Sequence, residues 1–230
     1  MTLFSLFPKS RRYFYKQIIF EFARPILKLN GILFTLFKFK KLIKTRKELK
    51  IHLGSGRNYL KGWLNIDANI ITGKSDIQLD LRNKLPFPDE SISAVYSHHV
   101  IEHLPDMNKH IKDVYKVLKP KGIYRLAGPN GDSAIKKFIE KDYAWFGDWP
   151  DKFESIGGRL SNFLLCGNDH LSILTFSYIE ELAKNAGFKE IKLYLPIKET
   201  GDFNLFEECL KKEKERDYEN PHTLVMELIK

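Results

Sequence analysis

LKIHLGSGRN, residues 49–58, is a short apolar run that passes directly into Gly54-Ser55-Gly56. Read as a first β-strand, it delivers two glycines to the strand's carboxyl end. There the missing side chains let a ligand approach backbone N–H groups in the crevice of an open parallel sheet. An ordinary tight turn would use the same glycines. The third glycine of a dinucleotide fingerprint is absent, and only 14 positions separate Leu53 from Asp67. A full crossover helix scarcely fits in that span, which argues against a nicotinamide-dinucleotide enzyme.

Beyond residue 49, short apolar runs punctuated by Gly, Pro, Asn and Asp alternate with segments of helical period, the pattern of a doubly wound α/β sheet. Strands are expected near 49–53, 63–67, 76–79, 92–97, 121–127, 188–195 and 222–229. IKDVYKVLK places Ile111, Val114, Tyr115 and Leu118 on one helix face, with Pro120 and Gly122 to stop it. SYIEELAKNAGF does the same with Ile179, Leu182, Ala183 and Ala186, ending at Gly187. Residues 129–170 read as an irregular, aromatic-rich insertion where a substrate cap would sit.

Two acids end neighbouring strands. Asp67 closes GWLNID, and a carboxylate there can accept from both hydroxyls of a ribose. Asp80 closes DIQLDLR, placed to accept from an adenine amino group while Leu81 borders the ring. For either acid alone, a turn or helix cap is the competing role. The next strand runs through LPFPDESISAVYSHHVIEHL and ends at His98-His99, after which a helix is expected from Val100.

The succession IHLGSG, NID, LDLRNKLPFPDESISAVYSHHVIEHL, VLKPKGIYRLAGPN and IEELAKNAGFKEIKL resembles the class I S-adenosylmethionine-dependent methyltransferases. Within them it is similar to small methyltransferases of the methyltransferase-11-like type, many of which accompany surface-glycan assembly. The resemblance spans about Leu49 to Ile197. It implies a mostly parallel, seven-stranded Rossmann-like sheet and S-adenosylmethionine as cofactor. It further implies that Gly54, Ser55 and Gly56 flank the methionine part, Asp67 the ribose, and Asp80 with Leu81 the adenine. Ser97, His98 and His99 would lie beneath the methionine and sulfonium, facing the acceptor. Two departures stand out: Arg57 replaces a small residue, and the connection before Asp67 is contracted.

Methyl transfer to a hydroxyl requires in-line alignment, exclusion of water and a base for the departing proton. Histidine suits that base, and the candidates are His99, then His170, then His103. His99 and His103 are four apart, which on a helix puts them on one face beside Glu102. Structural hydrogen bonding is the competing role for each. No metal ligand is assigned in this reading. The expected acceptor is a sugar, a glycan precursor or another small molecule, at a hydroxyl before an amine. Trp145, Trp149, Tyr143 and Phe146 could stack on a sugar face or pack the cap.

Two other classes compete. His99-Val-Ile-Glu102-His103 matches the HxxEH pattern of inverted zinc peptidases, which predicts a hydrolase on a helical scaffold. A noncatalytic membrane-associated module could retain the fold, although the glycine and aspartate set argues for a filled cleft. The strand end argues against a nucleic-acid substrate: it reads SHHV, without the N/D-PP-Y/F tetrapeptide of amino-methylating nucleic-acid enzymes.

Composition agrees with one folded domain plus additions. The 230 residues are 43% hydrophobic and 29% charged, with a net charge of +9 that favours an anionic partner. Cys166 and Cys209 form no CxxC pair, so neither a disulfide framework nor a cysteine zinc site is expected, and a reducing cytoplasm fits. No secretory signal is evident. Residues 1–48 form a basic, hydrophobic extension whose only acids are Glu21 and Glu48. Its stretch QIIFEFARPILKLNGILFTLF is interrupted by Glu21, Arg24, Pro25 and Lys28, which are costly in a bilayer core. It is expected either to lie on the anionic inner face of a membrane or to cover the sheet or cleft as a helix.

Overall fold

The computed structural model describes residues 9–34, 37, 48–69 and 73–230. Its centre is a seven-stranded sheet: β1 (Lys50–Leu53), β2 (Leu64–Asp67), β3 (Ile77–Gln78), β4 (Ile92–His98), β5 (Leu118–Pro129), β6 (Glu190–Tyr194) and β7 (Thr223–Ile229). The strand order is 3-2-1-4-5-7-6, and β7 runs antiparallel to both its neighbours. β1 pairs in parallel with β2 on one side and β4 on the other, with Leu53 opposite Ile66 and Ser97. The chain order therefore reverses across β1 and β4, the switch point at which open α/β sheets bind ligands.

The ten residues between β1 and β2 hold no helix, as the short spacing predicted. A buried side chain organises the loop instead. Asn65 accepts from the Leu60 N–H at 2.8 Å and donates to the Leu60 and Trp63 carbonyls at 2.9 and 3.1 Å. One amide thus satisfies backbone groups that a crossover helix would have satisfied internally.

Helices cover both faces. α1 (Lys9–Leu33) lies against the β3 edge, and α2 (Met107–Val117) and α5 (Phe176–Ala186) pack side by side on the same core. Asp106 caps α2 through the Lys109 N–H at 2.8 Å, and the helix buries Met107, His110, Ile111, Val114 and Val117. α2 ends earlier than the Pro120 and Gly122 stop suggested. Leu118 already pairs with Ile92, so β5 starts at 118, and the bulge falls at Lys121, whose φ is +65°. Gly187 ends α5 at φ +111°, and a Cβ there would meet the Tyr115 ring at 2.8 Å.

The opposite face is smaller. Leu60, Trp63, Ala94 and Tyr96 are covered by Phe206 and Cys209 of α6 (Phe203–Leu210), a helix the sequence pattern did not disclose. Between β5 and α5 the expected irregular cap is in fact helical: α3 (Gly131–Ile139) and α4 (Ile156–Leu165) close a core of Ala134, Trp145, Phe146 and Leu164. Trp145 stacks on His222 at 4.1 Å and donates to the Asn220 carbonyl, so Trp145 and Phe146 pack the cap, while Trp149 and Tyr143 are exposed. Among the described residues, no helix is long and apolar enough to cross a membrane. Of the N-terminal extension, residues 1–8, 35–36 and 38–47 lie outside the described residues.

Candidate functional site

The tips of β1, β2 and β4 bring together most of the residues singled out in the sequence. Gly54 and Gly56 both turn with positive φ, +66° and +49°. A Cβ on Gly56 would meet nothing within 4 Å, so this turn borders open space rather than packed core. The Ser55 side chain points the other way: it is buried, with its hydroxyl donating to the Lys74 carbonyl at 3.3 Å. Any ligand contact from Ser55 therefore comes from backbone.

Asp67 stands beside the turn and accepts from the Gly56 N–H at 2.7 Å and the Asn69 N–H at 2.6 Å. Those bonds lock β2 to the glycine turn and leave lone pairs on both oxygens for further donors. Asp80 is more heavily engaged. Its carboxylate accepts from Arg82 Nε at 3.0 and 3.1 Å and Nη2 at 3.0 Å, and Arg24 of α1 lies 3.8 Å away. An adenine amino group at Asp80 would have to share it with Arg82, a correction to the simpler expectation that this carboxylate waits for a ligand. Asp80 and Leu81 do line an open cleft of about 280 Å³ between α1 and residues 79–86, together with Leu27, Gly31, Leu79 and Leu85.

At the end of β4, side chains alternate between faces. Ser97 is fully buried and shares a 2.8 Å hydrogen bond with the Tyr124 hydroxyl, so its side chain belongs to the core. His98 lies on the other face with Tyr96. Burial, aided by the neighbouring His99, pushes its pKa down to about 3, and its Nε2 is buried without a hydrogen-bond partner among the described residues. A neutral imidazole with one spare nitrogen thus sits under the strand tip.

His99 does not begin a helix. Its φ is +54°, its N–H donates to the Ala127 carbonyl, and a single 3-10 turn, Ile101–His103, follows before α2 begins. His99 and His103 therefore do not share a helix face, and the helical scaffold required by the HxxEH peptidase reading is absent here. Both instead converge on Glu102. His99 Nδ1 lies 3.1 Å and His103 Nε2 3.9 Å from Glu102 Oε1. Burial alone would raise the Glu102 pKa, but the His99 hydrogen bond and the nearby His99 and His103 charges hold it below the ordinary carboxylate value. His170, at the end of the cap, meets His103 edge-on at 4.9 Å, and burial lowers its pKa. The Leu171 N–H binds the Glu102 carbonyl at 2.7 Å, pinning the cap to the β4 turn. The convergence of His99, Glu102, His103 and His170 was only partly visible in sequence, because Glu102 read as a neighbour rather than the hub.

Comparison with known proteins agrees with this architecture. Residues 65–126 match the family model described as "Methyltransferase domain". A 57-residue segment is 35% identical to a probable S-adenosylmethionine-dependent methyltransferase of Mycolicibacterium smegmatis, covering 23% of this chain and 22% of that protein. A 126-residue segment is 26% identical to sterol methyltransferase-like 1 of Botryococcus braunii, covering 53% and 27%. The matches thus span about a quarter of the length of these curated relatives. Among solved structures, a SAM-dependent methyltransferase of Thermotoga maritima, a possible histamine N-methyltransferase, aligns with TM-score 0.52 at 16% identity over 95% of this chain and 99% of that one. A SAM-dependent methyltransferase of Archaeoglobus fulgidus aligns with TM-score 0.51 at 15% identity over 92% and 99%.

Residues 65–126 thus match a methyltransferase domain, and the sheet order with its switch-point crevice is the fold shared with these solved SAM-dependent methyltransferases. The crevice has room and polar groups for S-adenosylmethionine: the space beside Gly56, the Asp67 carboxylate next to it and His98 Nε2, without a hydrogen-bond partner among the described residues, all lie at neighbouring strand tips.

Proposed function

We propose that the chain transfers a methyl group from S-adenosylmethionine to a hydroxyl, before an amine, of a sugar, glycan precursor or other small molecule. The observation that carries this reading is the His99–Glu102 pair at the β4 tip. The buried carboxylate holds His99 Nδ1 at 3.1 Å, while the His99 side chain remains 43% exposed. Its Nε2 is then the nitrogen available to take a proton from an acceptor hydroxyl, an imidazole oriented by a third group. S-adenosylmethionine, when bound, supplies a methyl carbon already activated by a positive sulfur. Gly54, Gly56, Asp67, Asp80 and Leu81 would hold it, with His98 beneath. The exposed Trp149 and Tyr143 on the cap supply aromatic faces suited to a sugar ring, which favours a glycan-type acceptor.

Calorimetry with S-adenosylhomocysteine tests the first half of the proposal, and labelled S-adenosylmethionine incubated with nucleotide sugars and glycans tests the second. Binding and hydroxyl methylation are expected. A folded protein that binds no S-adenosylhomocysteine would overturn the whole reading; transfer to an acceptor of another class would overturn the sugar assignment.

We also propose that α1 seats the protein on an anionic membrane surface. One stripe of the helix, Ala23 and Leu27, with Phe34 just beyond its end, is buried, while Phe22, Ile26, Leu29 and Leu33 form a second apolar stripe left exposed, Phe22 by 81% and Ile26 by 65%. The charge is distributed to match. Residues 1–48 hold 12 of the 38 basic residues and two of the 29 acidic ones, a net +10, so that residues 49–230 net −1. An apolar stripe on a basic segment suits the interface of a bilayer rich in anionic lipid. Flotation with phosphatidylglycerol vesicles should recover the full chain at low salt, and Phe22→Ser/Ile26→Ser/Leu29→Ser should abolish recovery. Absence of wild-type binding, or equal binding by the triple variant, would overturn this role.

A further inference from the structure

We infer that Glu102, His103 and His170 form a binding site for a divalent first-row transition cation. One ligand atom from each lies within 4.8 Å of the other two. The orientation of the rings points the same way. His103 Nδ1 lies 2.7 Å from the Asp169 carbonyl and His170 Nδ1 2.8 Å from the Leu164 carbonyl. A carbonyl only accepts, so each Nδ1 carries the proton and each Nε2 keeps its lone pair. Anchoring one ring nitrogen on a backbone carbonyl while the other is presented outward is the arrangement that orients metal-bound histidines.

The third ligand supplies an independent observation. Glu102 is fully buried on the 101–103 turn, and its Oε2 has no hydrogen-bond partner among the described residues. A buried carboxylate oxygen without a donor is costly, and a cation held beside the same carboxylate, whose Oε1 stands 3.9 Å from His103 Nε2, would offset that cost. β5 approaches this oxygen closely because residue 128 is glycine: a Cβ there would lie 3.4 Å from Oε2. The two histidines are partly exposed, which gives an ion a route in from solvent.

Two imidazoles and one carboxylate, with room for further ligands, suit Mn, Fe, Co, Ni or Zn in the divalent state rather than Ca or Mg. Ligand bonds of about 2.0–2.2 Å require the three groups to close in by about an ångström, within reach of the two histidine side chains. The consequence builds on the methyl-transfer reading. A cation at this position would bind the acceptor oxygen and lower its pKa, leaving His99 to take the proton.

The test uses the full chain, stripped with chelator and titrated with Mn(II) followed by electron paramagnetic resonance, and with Co(II) followed by its visible absorption. One equivalent should bind. His103→Ala and His170→Ala should each weaken binding by more than tenfold, with circular dichroism confirming the fold, and Glu102→Gln should do the same. No stoichiometric binding by folded protein, or binding unchanged in both histidine variants, overturns the site. S-adenosylhomocysteine binding measured on the same samples separates the two readings: retained nucleoside binding without cation binding removes this inference alone.

Discussion

Val100 Cγ2 stands 2.2 Å from where a β-carbon on Gly54 would sit. The side chain just after the His98-His99 pair therefore fills the space that the first glycine leaves empty, and the β1 tip and β4 turn fit only as a pair. Gly54 also has φ +66°, where an L-residue is strained. Gly54→Ala should lower stability by about 2–4 kcal/mol, from strain and overpacking together, and weaken S-adenosylhomocysteine binding. Adding Val100→Ala should restore part of the thermal midpoint. Failure of that second change to help would mean the clash is not the cause.

A second relationship is wholly internal. Arg125 is fully buried and donates to Glu213 from Nε and Nη2 at 2.8 and 2.9 Å and to Glu227 from Nη1 at 2.7 Å. The carboxylates also accept backbone N–H groups from Ile197 and Gly201, so the cluster fastens the 195–215 segment beneath the sheet. Arg125→Met leaves two buried carboxylates without their cation and should cost about 3–5 kcal/mol in urea unfolding. Replacing all three charges by apolar residues should recover most of that loss.

These two cases show what the sequence could and could not disclose. The Gly54 turn, the strand-end acids and the α2 and α5 faces were legible because each is local: turn chemistry and helical period act over a few residues. The Arg125 cluster was not, since its partners lie 88 and 102 positions away. α6 escaped notice because eight residues give a weak periodic signal, and α4 because Gly157 and Gly158 disguise a helix capped by Ser155. At the site, Asp80 was found but its commitment to Arg82 was not. The HxxEH spacing suggested a helix face, whereas His99 adopts left-handed backbone and Glu102 turns inward.

Acid should destabilise the fold before its carboxylates titrate. Burial lowers the pKa of His52 and His110 from 6.5 to about 4 and that of His98 to about 3. In this window the unfolded chain binds more protons than the native one. Stability is therefore fully present above pH 6.5 and declines as pH falls toward the folded values. His110 is the cleanest reporter, with Asp113 opposing and Lys109 reinforcing the effect of burial. Urea midpoints between pH 7 and 5 should fall, and His110→Phe should reduce the slope by about 1 kcal/mol per pH unit. An unchanged slope would show that His110 is not buried in its neutral form.

The role of His99 can be separated from that of its neighbours because its anchors are known. The backbone N–H is held by Ala127 at 2.8 Å, an anchor that survives removal of the ring, while the 3.1 Å bond from Nδ1 to Glu102 is lost with it. Alanine tolerates the +54° φ less readily than histidine, so circular dichroism and a thermal melt accompany the kinetics. His99→Ala should therefore lower kcat for a hydroxyl acceptor by about 10²–10⁴-fold while leaving S-adenosylhomocysteine affinity within a fewfold of wild type. Added imidazole should restore part of the rate, since the vacated position opens to solvent. Equal loss of kcat and of nucleoside affinity, without imidazole rescue, would assign His99 to holding the crevice and move the base to His170.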